Sequence, residues 1–194
     1  MIARFRHSFP GVTFDLRVTV STVTNRLIQE GTADVGVTLS HSPLRGLTVE
    51  RMTHRSMYAV MPSGHPLAKR RSVSMADIVP FPVALPEPST QRNLIYACCN
   101  SQGLVLEPVL STNSVAVLRR FAAAEGCIQL TSAHSKRGPI GTTDFAAVPV
   151  VDPGLIDNTV RVVTLRGRTL PAAARAFLDL LLTEMAEGAI AWAG

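Results

Sequence analysis

The stretch Pro82–Gly103, PVALPEPSTQRNLIYACCNSQG, decides how the whole chain is interpreted. Val83–Leu85 is a short apolar run of the kind that forms a buried strand. The prolines that follow stop the strand, because proline fixes φ and lacks a backbone N–H. Ser89 or Thr90 then caps a helix, Gln91–Asn100, which ends near the glycine that closes the stretch. The sequence therefore predicts a strand that runs directly into a capped helix.

This junction has the composition of a small anion site. A helix that begins where a strand ends leaves backbone N–H groups without partners at that point. These groups, the hydroxyls of Ser89 and Thr90 and the guanidinium of Arg92 can together hold a small anion. An ordinary strand-to-helix connection with a solvent-exposed arginine fits the same pattern, and spacing alone favours that plainer interpretation.

Upstream of the junction the pattern is also strand, helix, strand. Val12–Val20 alternates apolar and polar residues and predicts a strand. Ser21-Thr22 caps a predicted helix over Val23–Glu30. Ala33–Leu39 is almost fully apolar, which predicts a central strand of a parallel sheet. Together the three segments predict a βαβ unit.

The same alternation continues through the rest of the chain. Further strands are predicted at Gly46–Met52, Ser56–Met61, Val105–Ser111, Cys127–Leu130, Ala147–Val151 and Thr159–Leu165. Helices are predicted at Met75–Ile78 with Ser74 as its cap, from caps at Thr112–Ser114 to Ala124, and at Leu170–Gly188, with a loop over residues 133–144. This order predicts an α/β fold with mostly parallel sheets. Ligands in such folds lie beyond the carboxyl ends of strands, here near Ser21-Thr22, Thr38–Ser40, Ser89–Arg92 and Thr131-Ser132.

Composition excludes several classes of protein. The chain has 194 residues, 46% of them hydrophobic, which suits one large domain or two small lobes with a real core. No apolar run is long enough to span a bilayer, and the first residues lack the apolar region of a signal peptide. The net charge is +5, but no aromatic interleaving or recognition helix accompanies it, so direct DNA binding is not favoured. We expect a cytoplasmic protein with reduced thiols.

No enzyme or metal motif is present. GxSxG, HExxH, CxxC, Walker and GxGxxG patterns are all missing. The five histidines lie far apart without partners at metal-ligand spacing, so we expect no metal and no cofactor. His65 is expected to be structural, and His41 is either a ligand-lining residue or a solvated loop residue. Cys98, Cys99 and Cys127 are expected to be buried packing residues.

Several segments resemble, in order and spacing, the effector-binding domain of LysR-type transcriptional regulators. In the first half they are FRHSFPGVTFDLRV, RLIQEGTADVGVT, GLTVERM, MYAVMPSGHPLA and VSMADIVPFPVALP. In the second half they are STQRNLI, LSTNSVAVLRRFAAAEGCIQLTS and LPAAARAFLDLL. The resemblance covers nearly the whole chain, and EGTADVGV, GHPLA and AAEGCIQL are its most specific parts.

The resemblance implies two Rossmann-like lobes of the type 2 periplasmic-binding-protein kind. Lobe I would comprise residues 1–53 and 160–194, and lobe II residues 54–159, with a small effector in the cleft. The ligand-binding positions that carry over are Thr22, Thr38, Leu39, Thr90, Arg92 and Thr131, to which the junction described above adds Ser89.

The resemblance also implies a function. This would be a cytoplasmic regulatory domain, not an enzyme, that binds a small anionic metabolite and thereby controls transcription. The family's winged helix-turn-helix and the opening strand of the domain have no counterpart in this sequence, so DNA would be reached only through a DNA-binding domain that this chain lacks. A homodimer is implied, with candidate surfaces on Val12–Val20, Val23–Glu30 and Ser114–Ala124. The alternative is a stand-alone solute-binding protein of the same fold.

Overall fold

Residues 1–39, 44–87, 89–131, 145–155 and 158–186 are described by the structure, a computed structural model. They divide into two units. Among the described residues, unit 1 contains Met1–Thr53 and residues 159–186, and unit 2 lies within His54–Asn158. His41 and the predicted loop over 133–144 lie outside the described residues.

Unit 1 is built on a three-stranded sheet with the strand order β1-β8-β2. Its strands are β1 (Gly36–Leu39), β2 (Leu47–Arg55) and β8 (Asn158–Leu165), and its helices are α1 (Ile2–Ser8), α2 (Ser21–Gln29) and α6 (Ala172–Ala186). β1 pairs with β8 in antiparallel fashion, so that Gly36 lies opposite Val163 and Thr38 opposite Arg161.

Helix α2 packs closely on β1 because of a glycine. A Cβ atom at Gly36 would lie 3.0 Å from the Ile28 side chain and 3.1 Å from the side chains of Thr24 and Val163. A larger residue would therefore push the helix off the strand. Ile28 and Val163 then join Leu47 in a small buried core.

The segment Val12–Val20 is not a strand in the structure, so that prediction is wrong. Phe14 holds the segment to the unit through T-shaped contacts with Phe5 and Phe177. Leu16 and Val18 remain 72% and 89% exposed. A strand is stabilised by pairing with a hydrogen-bonded neighbour, and no described strand lies beside this segment.

The predicted βαβ unit is wrong as well, because its first strand, Val12–Val20, does not form. β1 is an edge strand among the described residues and pairs antiparallel with β8, whereas its apolar composition predicted a central parallel strand. Its burial comes from packing against α2 rather than from parallel neighbours on both sides.

Unit 2 is built on a five-stranded sheet with the order β5-β4-β6-β3-β7. Its strands are β3 (Tyr58–Pro62), β4 (Val83–Pro86), β5 (Leu110–Thr112), β6 (Ile128–Thr131) and β7 (Phe145–Pro149). Its helices are α3 (Met75–Ile78), α4 (Thr90–Ser101) and α5 (Val115–Glu125). β4 is parallel to β5 and β6, whereas β3 is antiparallel to β6 and β7, so only half of this sheet follows the predicted parallel arrangement.

Most predicted elements of unit 2 are present with shifted ends. Ser74 caps α3 as predicted, and Asp77 completes a capping box by accepting from the backbone N–H of Ser74. The predicted strand Val105–Ser111 is reduced to β5, because the residues before it lack a ladder of pairs with β4. The main core fills the space between the sheet and α3 and α4, and includes Met61, Ile78, Leu85 and Ile95.

Candidate functional site

Three parallel strands of unit 2 end at one edge of the sheet. In the register of β4 and β5, Pro86 lies opposite Thr112, and β6 runs parallel on the other side of β4 and ends at Thr131. Helices α4 and α5 begin just beyond β4 and β5, capped by Ser89 and Ser114. We call this hydroxyl-rich margin the carboxyl edge of unit 2.

Ser89 caps α4, as the sequence predicted for Ser89 or Thr90. Its Oγ accepts a hydrogen bond of 3.2 Å from the backbone N–H of Arg92, and its backbone is extended. Thr90 is the first helical residue and is half-buried. The Ser89 hydroxyl keeps its own proton available for donation, since a hydroxyl both donates and accepts.

The Arg92 side chain is held against its own unit. Nη1 donates to Ser111 Oγ at 3.2 Å and makes a longer contact, 3.5 Å, with the carbonyl oxygen of Pro86. Nη2 donates to Tyr96 Oη at 3.0 Å, and the guanidinium lies 5.2 Å from the Tyr96 ring centroid. These contacts fix the guanidinium beside the ends of β4 and β5 and occupy part of its donor capacity.

Thr131 ends β6 at the same edge and lies opposite Tyr58 of β3. The neighbouring carbonyl, that of Leu130, accepts a hydrogen bond of 3.1 Å from Gln91 Nε2. The first turn of α4 is therefore fastened to β6 as well as to β4. Unit 2 thus brings together all four of its predicted site residues, Ser89, Thr90, Arg92 and Thr131, at the carboxyl edge.

The other three predicted site residues lie in unit 1, where α2 begins and β1 ends. Thr22 is the second residue of α2 and is exposed, Leu39 is the last residue of β1, and Thr38 is buried. The predicted hydroxyl cap is wrong: Val20 occupies the N-cap position without a side-chain cap bond. Ser21 Oγ instead accepts from the Leu39 N–H at 3.0 Å and ties the two elements together.

The sequence analysis missed four polar residues around these sites. Ser21, Gln91, Tyr96 and Ser111 make the contacts that position the predicted residues. The contact of Arg92 with Tyr96 could have been predicted from the sequence, because residues four apart on a helix are neighbours. In the structure the Arg92 guanidinium lies over the Tyr96 ring. Ser111 and Gln91 bridge elements distant in sequence, for which spacing gives no signal.

The cysteines are buried and unpaired, as predicted. Burial raises the pKa of all three thiols, and for Cys99 it does so to about 11, with the neighbouring Cys98 and Asp152 contributing. A thiol is reactive as the thiolate, so these residues are chemically quiet in the folded protein.

A separate cavity of about 340 Å³ lies in unit 1 between α1 and α6. Phe5, Phe9, Ala176 and Leu180 make most of its lining apolar, and the Arg4 guanidinium beside it pairs with Glu184. It contains none of the predicted site residues.

Two kinds of feature are not found among the residues that the structure describes. Within the described ranges, no three His, Cys, Asp or Glu side chains are grouped so as to hold a metal ion. No helix in the described part of the chain is both long and apolar enough to cross a membrane.

Comparison with known proteins supplies an independent result. A family model described as the LysR substrate binding domain matches residues 1–186, whereas no curated protein matches. Among solved structures, HinK, a LysR family transcriptional regulator from Pseudomonas aeruginosa, is 20% identical with a TM-score of 0.74, over 92% of this chain and 62% of HinK. This chain thus spans less than two thirds of that relative.

Two similar structures contain small molecules. The effector binding domain of QuiR in complex with shikimate is 15% identical, with a TM-score of 0.74, over 96% of this chain and 88% of QuiR's. The Synechocystis PCC6803 CcmR regulatory domain in complex with 2-PG is 17% identical, with a TM-score of 0.73, over 94% of this chain and 88% of the other. Identities this low establish the shared fold and nothing finer.

Proposed function

The chain belongs to the LysR substrate-binding-domain family, and on that premise we propose that it senses a small anionic metabolite for a transcription regulator. The family is regulatory rather than enzymatic, and we propose no catalytic role for this chain. The observation that carries the proposal is the carboxyl edge of unit 2, where capped helix starts and a fixed arginine stand beside the strand ends. The solute-binding alternative is not favoured by the family match.

The ligand chemistry follows from the donors at this edge. The backbone N–H groups of a helix's first turn and its positive dipole end favour an anion. The Ser89 and Thr90 hydroxyls can donate to it, and Arg92 can add a charge-assisted hydrogen bond from N–H groups not used by Ser111 and Tyr96. A carboxylate fits this set. QuiR with shikimate and CcmR with 2-PG show that this fold accommodates small organic ligands.

The remaining site residues belong to the same proposal. Thr22, Thr38 and Leu39 form the contribution of unit 1, and Thr131 closes the row of strand ends in unit 2. We place the protein in the cytoplasm and propose that it reaches DNA through a winged helix-turn-helix domain outside these 194 residues. In this proposal lobe I comprises residues 1–53 and 160–194, and lobe II comprises residues 54–159.

Calorimetric titration with a panel of small carboxylic acids tests the carboxyl edge. Arg92→Ala should weaken binding by about 1.5–3 kcal/mol, the usual contribution of a hydrogen bond to a charged group. Arg92→Lys keeps the charge but loses the planar fork, so it should recover part of the affinity. Arg120→Ala, an exposed residue of α5, is the matched control. Equal affinity of wild type and Arg92→Ala for every acid that binds would contradict the role of Arg92.

We also propose a homodimer. Exposed apolar side chains on two of the predicted surfaces support it, namely Leu16 and Val18 on the segment 12–20 and Val117 on α5. Sedimentation at micromolar concentration should give a dimer that Val18→Asp weakens. Val105→Asp is the control, since Val105 is 77% exposed but lies outside these surfaces. A wild-type monomer under these conditions would exclude the dimer.

A further inference from the structure

The segment 12–20 of unit 1 carries backbone groups that have no partners. The segment contains neither a turn nor a bend, and no described strand pairs with it. Residues 13–19 make no backbone hydrogen bond with any other described residue. An extended segment with free N–H and C=O groups is a template for pairing with another strand.

One side of this segment is apolar and the other is polar. Leu16, Val18 and Val20 occupy every second position and are 72%, 89% and 44% exposed. Asp15 and Arg17 alternate with them, are both exposed, and meet through their side chains at 2.8 Å. Side chains two positions apart project from the same side of an extended chain. The segment therefore has the two-residue period of a strand whose apolar face is largely uncovered.

The residue types of this segment follow the same order in both directions from Leu16. The sequence VTFDLRVTV has a valine at each end, a threonine next to each valine, and opposite charges on either side of the central leucine. When two copies pair antiparallel with Leu16 opposite Leu16, each Asp15 lies opposite Arg17 of the second copy. Each Phe14 then lies opposite Val18 of the second copy. Opposite charges, and aromatic with β-branched residues, are cross-strand pairs that stabilise a sheet.

Other antiparallel registers lose this charge complementarity. A shift by two residues places either Asp15 opposite Asp15 or Arg17 opposite Arg17, and like charges directly opposite each other are destabilising. A shift by one residue places Leu16 opposite a charged side chain, because it turns the apolar face of one strand to the other side. The sequence of the segment therefore favours a single pairing with its own copy.

We propose that two copies of this chain pair through residues 13–19 as antiparallel strands, with Leu16 on the two-fold axis. The inference rests on the proposed homodimer and specifies its contact surface and its register. Such a contact is isologous, so every cross-strand pair occurs twice. It supplies partners to backbone groups that lack them and brings Leu16 and Val18 of both copies into one apolar row. Each charge at Asp15 and Arg17 then has an opposite charge beside it in both copies.

Cysteine cross-linking tests the register. Residues opposite each other in antiparallel strands have Cα atoms about 4.5–5.5 Å apart, which a disulfide can span. Leu16→Cys, oxidised with diamide at micromolar concentration, should therefore give a covalent dimer on a non-reducing gel. The native cysteines are buried, so the wild type should give none.

Thr13→Cys is the matched control for this cross-link. Thr13 is exposed in the same segment, but it lies opposite Thr19 of the second copy. Its thiol would therefore be about 20 Å from its counterpart and should not cross-link. Equal cross-linking of the two variants, or none with Leu16→Cys, would overturn the register.

Charge reversal gives a second readout. Asp15→Arg and Arg17→Asp each place like charges opposite each other, so each should weaken the homodimer at least tenfold in sedimentation. A mixture of the two variants should form a heterodimer, because both cross-strand pairs are then attractive. Arg6→Asp, at an exposed position of α1, should associate as the wild type does. The ion pair within one chain cannot account for rescue by mixing, and a mixture that associates no better than either variant alone would contradict the pairing.

This inference and the earlier proposals fail separately. A wild-type dimer that gives no cross-link with Leu16→Cys would contradict the strand pairing and leave the homodimer intact. A wild-type monomer would contradict both. Carboxylic acids that fail to bind in calorimetry would contradict the proposed function without affecting the cross-link, since residues 13–19 include none of the proposed ligand-binding positions.

Discussion

Asp152 should be one of the most sensitive positions of unit 2. It is 5% exposed, and both of its carboxylate oxygens are used. Oδ2 accepts from the backbone N–H of Met75 and Oδ1 from Gln102 Nε2, each at 2.7 Å. The carboxylate thereby joins the start of α3 to the end of α4, the helix whose first turn carries the proposed anion site.

The size of the effect follows from these two bonds. A hydrogen bond to a charged group contributes about 1.5–3 kcal/mol, and a buried donor left unpaired costs about 1–3 kcal/mol. Met75 is fully buried, so in Asp152→Ala its N–H has no access to water. We expect a loss of at least about 3 kcal/mol in the free energy of unfolding. Asp152→Asn keeps one acceptor for Met75 and should lose about half as much.

Urea unfolding measures this loss. Tyr58 and Tyr96, the two tyrosines of the chain, both belong to unit 2, so their near-ultraviolet signal reports on this unit. With an m-value of about 1–3 kcal/mol/M, Asp152→Ala should lower the midpoint by about 1 M or more at unchanged m. Glu107→Ala, an exposed carboxylate of the same unit, is the control. A loss below about 1 kcal/mol for Asp152→Ala would refute the reasoning.

Three further predictions concern stability. Ser74→Ala should cost about 1 kcal/mol in denaturant unfolding, because it removes the α3 cap. Hydrogen bonds from the backbone N–H and the hydroxyl of Ser74 lower the pKa of Asp77, so the Asp77 contribution to the free energy of unfolding should be present above about pH 4 and disappear as the pH falls through its lower folded pKa. This pH dependence should be smaller but still present in Ser74→Ala, which keeps the backbone N–H, and its complete loss there would contradict the prediction. Burial lowers the pKa of His65, whose neutral ring accepts a hydrogen bond of 3.2 Å from the Leu67 N–H. The contribution of His65 to the free energy of unfolding should therefore be complete above about pH 6.5 and decline below it. An unchanged pH profile of stability in His65→Gln would contradict this. Gly36→Ala should cost about 1–3 kcal/mol, because the added Cβ would meet α2 at 3.0 Å; a melting temperature equal to that of the wild type would mean that α2 can shift freely.

Local sequence patterns determined the elements of unit 2. The apolar run at Val83–Leu85, the prolines behind it and the hydroxyl at Ser89 each act on neighbouring backbone, so β4 and the start of α4 follow from sequence alone. The same holds for the Ser74 cap of α3. The grouping of Ser89, Thr90 and Arg92 was predictable because they are neighbours in sequence.

Tertiary structure decided whatever depends on partners distant in the chain. Val12–Val20 has a strand pattern but no hydrogen-bonded neighbour among the described strands, so its pattern is not realised. Arg92 turns to Ser111, 19 residues away, and Asp152 joins Gln102, 50 residues away. Propensity and capping act over one helical turn, whereas pairing, side-chain direction and burial of a charge are set by which elements meet. The sequence therefore determined which residues of unit 2 stand at strand ends, and only the fold decided what each of them contacts.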